Sequence, residues 1–362
     1  MKQKVAAFGY STPNLGDDMQ AIAAVSQYPW LDTLVNRDRL DVAKLEEQHL
    51  CTMASWFLVK NYKRLPRSQI DPIFFGFCLG RDVLLETDWL GYLKENEPIG
   101  SRDLRTADKL KAAGVDSYYS GCITLFMGKR FRRIPAEERS GIVFVDVPEA
   151  DGLIPQHVKD ASRSLTNFTT PDIVKNPFAR WTRIAATCDI LRRAELVVTR
   201  RLHTALPCVG FGTPVVVILE DKPKSRGRFS GYEEFMNIVW IKDGKPSRSI
   251  DWESREPSVI PARLEESFDR YREELKARIG SLNDSVSEDI CCKLRLNTSA
   301  RAERLTVKSG IYDSVVPIAY DKQGCYIEGV EMMKHFRMDV FADATRFSKG
   351  TYLGKLSEIV SS

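Results

Sequence analysis

Several large protein classes leave no mark on this sequence. Eight cysteines occur with no CxxC pair and no regular spacing, and the four histidines (His49, His157, His203 and His335) have no second histidine or cysteine at ligand spacing. Neither a disulfide framework nor a structural zinc is expected from such a pattern. No apolar run approaches the ~20 residues of a membrane span, and the N-terminus shows no signal peptide. The expectation is a cytoplasmic chain with reduced thiols. There is no Gly-x-Ser-x-Gly elbow, HExxH pair or kinase signature set, and the glycine spacings of the Rossmann fingerprint and the P-loop are also missing. Charge of one sign is scarce too. With 53 basic residues against 49 acidic ones, a formal +4, the chain has no basic stripe of the kind a nucleic-acid binder shows. Its densest basic run, Lys129, Arg130, Arg132 and Arg133, reads as a solvated loop, with contact to an acidic membrane surface as the other reading.

What is present suits an enzyme-sized folded body. The 362 residues exceed a typical single core, and 43% hydrophobic with 28% charged residues is a globular composition. Strands are expected at Lys4–Phe8, Met53–Val59, Ile73–Phe77, Val115–Tyr119, Ile142–Val147, Leu196–Thr199 and Val215–Leu219. Helices are expected from Asp17, and over Arg102–Ala113, Thr182–Ala194, Leu202–Val209 and Arg263–Ile279. Alternation of this kind implies an α/β fold of mostly parallel sheets with helices on their faces. The charged, proline-containing stretch 129–140 suggests a boundary. Two doubly wound Rossmann-like domains facing a cleft follow, residues 1–132 and 133–285, with a C-terminal extension over 286–362 that has no clear pattern.

Three stretches carry residues suited to an anionic ligand. In AELVVTRRLHTALPCVGFGTPVVVIL, residues 194–219, a buried strand runs out into Arg200, Arg201 and His203 at the start of a helix. The carboxyl ends of parallel strands are where open α/β sheets bind ligands, and unpaired amides at a helix start attract anions. In PIGSRDLRTADKLKAAGV, Arg102 and Asp103 stand at a helix start. A cation there opposes the helix dipole, so Arg102 either serves a ligand or pairs with a carboxylate such as Asp103. The loop GYSTPNLGDDMQ, with Asn14, Gly16 and Asp17, is placed to cradle an acceptor or an anion with its backbone amides, and Asp17 and Asp18 suit a helix N-terminus. Arg226 and Arg228 in KSRGRFSGY, beyond the strand ending at Leu219, are near enough in the chain to return to the same crevice, and are read in the first place as solvated loop residues.

At these residues the sequence resembles the polysaccharide pyruvyl transferase family. The matching pieces are NLGDDMQ, TMASWFL, IDPIFFGF, PIGSRDLRTADKLKAAGV followed by YYSGCITL, and VVTRRLHTALPCVGFGTPVVVI with RGRFSGY beyond, in the family's order, over roughly residues 5 to 235. The resemblance implies a fold like that of GT-B glycosyltransferases, phosphoenolpyruvate as donor and a sugar as acceptor, the latter lipid- or nucleotide-linked in one version. It carries Arg201, Leu202 and His203 over as the donor-site element, with Arg201 and His203 catalytic and Arg102 a second donor contact. No cofactor is implied beyond the donor substrate. Two other classes remain open on the sequence: a nucleotide-sugar glycosyltransferase, and a non-catalytic protein that senses an anionic metabolite in the same cleft.

Overall fold

The computed structural model describes residues 3–10, 12–57, 64–147, 152–169, 177–286 and 316–317. Its first half alternates β1 (Lys4–Gly9), α1 (Gly16–Val25), β2 (Thr33–Asn36), β3 (His49–Thr52), β4 (Trp56–Phe57), β5 (Ile70–Ile73), β6 (Phe75–Leu79), α2 (Trp89–Glu95), β7 (Ile99–Ser101), α3 (Leu104–Ala112) and β8 (Ser117–Tyr119). Strands β2-β1-β3-β5 and β4-β6-β7-β8 pair in parallel in those orders, and Val316–Pro317 adds an antiparallel edge to β2. Hydrogen bonds carry the ladder across the break between the two groups, from Met53 N to Ile73 O (2.8 Å) and from Cys78 N to Ser55 O (2.9 Å). The stretch expected as one strand over 53–59 is thus split at Met53–Ser55, and its last two residues lie outside the described ones. Ser55 is fully buried there, with a hydroxyl that accepts from Arg37 and Tyr10.

The second half contains β9 (Ile142–Val145), α4 (Gln156–Asp160), β10 (Ser162–Leu165), α5 (Pro177–Arg193), β11 (Leu196–Thr199), α6 (Leu202–Phe211), β12 (Val215–Glu220), α7 (Pro223–Phe229), β13 (Asn237–Lys242) and β14 (Lys245–Pro246). They form one sheet in the order β10-β9-β11-β12-β13-β14, parallel up to β13. The Val- and Ile-rich runs of β11 and β12 are buried along nearly their whole length, as strands covered on both faces should be.

Helix α8 (Ala262–Ile279) then returns to the first half. Its buried residues Leu264, Phe268, Tyr271, Leu275 and Ile279 recur at three- and four-residue steps. Tyr271 stacks on Phe75 at 4.6 Å and Phe268 on Phe126 at 4.1 Å. Helix α1 packs on α5 and α6, and a single apolar cluster joins Val5 and Phe8 to Val143 and Val217. The α/β class with parallel sheets is as the sequence implied.

Several local readings need correction. Helix α6 runs through Gly210 to Phe211 and is stopped by Gly212, whose φ of 69° suits a glycine. Gly210 lies inside the helix because a Cβ there would stand 2.5 Å from Leu125 O. Arg102 belongs to the turn before α3, and Asp103 caps that helix by accepting from Thr106 N at 2.9 Å. The basic run is largely engaged within the protein. Lys129 pairs with Glu265, Arg132 with Glu138, and Arg130 is buried with its Nε on Gln27 Oε1. Among the described residues the cysteines are buried, no group of side chains could hold a metal ion, and no helix is long and apolar enough to cross a membrane. His335, Cys291, Cys292, Cys325 and most of 286–362 lie outside the described residues.

Candidate anion-binding site

In the six-stranded sheet the strand order reverses between β9 and β11, since the chain leaves β9 to form β10 on one side and comes back to form β11 on the other. A crevice at the carboxyl ends is the usual consequence of such a reversal. Asp146 follows β9 there, and Arg200 and Arg201 follow β11. The hydroxyl of Thr199 ties the two strand ends together, donating to Val145 O (2.9 Å) and accepting from Arg201 N (3.0 Å). Arg201 Nε donates to Asp146 Oδ2 at 2.8 Å, and its guanidinium lies 4.5 Å from the centre of the half-exposed Phe168 ring. Arg200 is exposed.

His203, the second residue of α6, is 3% exposed, and its Nε2 is buried with no hydrogen-bond partner. Gly16 makes room for it. A Cβ at Gly16 would stand 3.0 Å from both Cβ and Nδ1 of His203. Burial pushes the imidazole pKa well below its ordinary value, and the guanidiniums of Arg102 and Arg228 press in the same direction. Leu202 contributes its side chain to the apolar core, so a donor contact through that side chain has no support in the structure.

Arg102 is 2% exposed. Its Nη2 donates to Cys78 Sγ (2.7 Å) and to Asp103 Oδ2 (3.3 Å), while its Nε is buried without a partner. Both readings of this residue are therefore realised in part: it pairs with Asp103 and still presents an unpartnered donor. Burial holds the Cys78 thiol protonated at neutral pH despite the neighbouring guanidinium.

The glycine-bearing loop is held by a contact the sequence did not reveal. Arg180 of α5, fully buried, forks onto Asp18 (Nε to Oδ1 3.1 Å, Nη2 to Oδ2 2.5 Å) and also donates to Thr12 O and Asn14 O. Asn14 Oδ1 accepts from Gly16 N at 3.1 Å, and Asp17 takes a long hydrogen bond from Thr12. Asp17 and Asp18 stand in the first turn of α1 as expected, yet Asp18 is spent on Arg180. Asp17, without an arginine partner of that kind, acts electrostatically on Tyr10 and Arg228.

Arg226 and Arg228 prove to be helical, on α7, and they part ways. Arg226 is exposed and paired with Asp221 (2.8 Å) and Glu233 (3.1 Å). Arg228 is half-buried, lies 5.8 Å from the centre of the Trp56 ring and shares the field of Arg102, Arg201 and Asp17. Its reading as a solvated loop residue is overturned. The signal was in the flanking glycines. A Cβ at Gly227 would reach within 2.8 Å of Arg105 Cδ, and one at Gly231 within 2.7 Å of Tyr119 Cζ.

An α/β protein of parallel sheets, with two buried arginine-bearing turns and a histidine converging beside a strand-order reversal, is the class defined by these features. The polysaccharide pyruvyl transferase family model matches residues 48–222, and over that stretch the chain is similar to this family. Arg102, Arg201, Leu202 and His203 fall within the match, while Asn14, Gly16, Asp17 and Arg228 fall outside it. No curated protein matches the chain.

Proposed function

We propose that the protein transfers the pyruvyl group of phosphoenolpyruvate to two hydroxyls of a sugar in a polysaccharide or its precursor, forming a ketal and releasing phosphate. The observation that carries this reading is a set of donors left over after the local ion pairs are made: Arg102 Nε unpartnered although Nη2 reaches Asp103, Arg228 in the same field, and His203 Nε2 unpartnered. A carboxylate and a phosphate on one enol carbon are the charges such a cluster lacks. In this reading Asn14, Gly16 and Asp17 form the acceptor side. The two halves act as GT-B-like lobes, 1–132 and 133–285, in the cytoplasm or at the inner face of the membrane when the acceptor is lipid-linked.

The reaction adds one proton and two oxygen atoms to the enol. A proton goes to the methylene carbon, which becomes the methyl group, as a first sugar hydroxyl bonds to the adjacent carbon and gives up its own proton, which replaces the one delivered. A second hydroxyl then displaces phosphate from that carbon and closes the ketal, its proton leaving with the phosphate. His203 is neutral in the empty site. A bound dianion or trianion offsets the two guanidiniums and raises its pKa, so the donor itself recruits the proton that His203 delivers. The guanidiniums hold the leaving phosphate and the carboxylate.

The test is phosphate release from phosphoenolpyruvate over a panel of saccharides, beside thermal shifts with UDP-sugars. Acceptor-dependent release with a ketal in the product supports the reading. Stabilisation by a UDP-sugar alone, with no phosphate released, would turn it towards glycosyl transfer.

A further inference from the structure

The arginines around the site do not have equal company. Arg201 has Asp146, Arg226 has Asp221 and Glu233, and Arg102 has Asp103. Arg228 has no hydrogen bond or ion pair with any described residue, only the face of Trp56 and the distant field of Asp17. Half-burying a guanidinium near another one is unfavourable, and an unrestrained side chain would swing further out to solvent.

The local sequence holds it in place instead. Ser230 accepts twice from the start of α3, its O from Leu104 N (3.2 Å) and its Oγ from Arg105 N (3.0 Å). Tyr232 donates its hydroxyl to the main-chain oxygen of Arg102 itself. Gly227 and Gly231, the latter at φ 90°, let the backbone approach Arg105, Leu104 and Tyr119 more closely than any side chain would permit. Each of these contacts fixes the α7 segment against the turn that carries Arg102.

We infer that Arg228 and Arg102 together grip the phosphate of the donor, one guanidinium from each half of the chain, leaving the donor carboxylate to the free edge of Arg201. The identity of the donor rests on the pyruvyl-transfer reading; the grip on a phosphate does not. A phosphate offers three oxygens to two forks, and Arg102 Nε is an unpartnered buried donor for one of them. The ligand supplies a counter-charge to Arg228, which among the described residues has no ion pair.

The experiment uses Arg228→Met, which keeps the aliphatic stem over Trp56 and removes the charge, with Arg226→Met as control. Titration calorimetry with inorganic phosphate, phosphoenolpyruvate and pyruvate is paired with melting in the absence of ligand. The expected result is a loss of about 10–100-fold in affinity for phosphate and phosphoenolpyruvate, the scale of a charged hydrogen-bond pair. Pyruvate affinity stays unchanged and the unliganded Tm rises, because an uncompensated cation has gone. Arg226→Met leaves phosphate affinity as in the wild type. Wild-type affinity for phosphate in Arg228→Met, an equal loss for pyruvate, a lowered Tm with affinity intact, or no phosphate binding by the wild type would each overturn the assignment. Normal turnover of phosphoenolpyruvate in Arg228→Met would sink the grip and leave the transfer reading standing. Phosphate affinity lost in the variant, with no phosphate released by the wild type over any acceptor, would do the reverse.

Discussion

His203 sits where a positive charge is least welcome, and that gives its chemistry a sign. Its folded-state pKa lies below the ordinary 6.5 through burial and the neighbouring guanidiniums. The unfolded chain therefore takes up the proton first as pH falls through 6.5, and stability is lost from that point downward, towards the folded value. Replacing the imidazole by an amide removes this term, so His203→Gln should show a smaller drop in Tm between pH 7.5 and pH 5.5 than the wild type. Equal drops in melting scans would show that the ring is not held neutral. Phosphoenolpyruvate should shrink the wild-type drop as well, by restoring the charged ring. As the proton donor, His203 replaced by Ala should lower turnover by about 10²-fold or more while donor affinity changes little; steady-state kinetics with near-normal kcat would remove it from that role. Arg201 is engaged at Nε by Asp146, and only a planar fork holds a carboxylate on one edge and a ligand on the other. Arg201→Lys should thus fail to restore the donor affinity that Arg201→Ala loses, and full rescue in a binding titration would argue against the two-edged role.

At the scale of elements, closeness of approach decides where the site residues go. Gly231→Ala should bring a Cβ to 2.7 Å from Tyr119 Cζ and 2.9 Å from Leu104 Cγ, at a φ of 90°. The expected cost is about 1–3 kcal/mol of overpacking, with roughly 1–2 kcal/mol more for the positive φ. Urea denaturation measures it, and a midpoint like the wild type's would mean that α7 does not depend on this contact. The same contact marks the limit of what the sequence shows. The cores of β1, β9, β11 and β12 are legible because continuous apolar runs end in charged or glycine-bearing turns, and the strand that ends at Arg201 points to the site directly. The break between β3 and β4 is not legible, since no glycine or proline interrupts residues 49–57 and the break is set by pairing with β5 and β6. Arg228 was hidden for a similar reason. In KSRGRFSGY the charges suggest solvent, and only the distant partners Arg105, Leu104 and Tyr119 reveal that the two glycines bury one of them. Asp18 and Arg180 lie 162 positions apart, and no local pattern connects them.

Across the whole molecule, that pair is the point where α5 of the second half holds the Asn14–Asp17 loop of the first. Both side chains are essentially inaccessible, and burial pushes the Asp18 carboxyl up to about 6 against the pull of Arg180. Desolvation thus outweighs the field of the arginine, as it can for a buried ion pair. Losing one partner alone should be severe, since it strands the other charge: Arg180→Met is expected to cost about 3–5 kcal/mol. Replacing both, as Asp18→Leu with Arg180→Met, leaves no buried charge and should cost clearly less than the two single changes added together. The carbonyls of Thr12 and Asn14, which Arg180 also holds, would still lose their donor. The double variant should therefore melt close to the wild type yet turn over poorly, because Asn14, Gly16 and Asp17 are no longer fixed against His203. Denaturation of the four proteins of this cycle, read beside their kinetics, separates the two effects. Additive costs would mean that the ion pair does not couple the halves, and full activity in the double variant would mean that the loop needs no tether from α5.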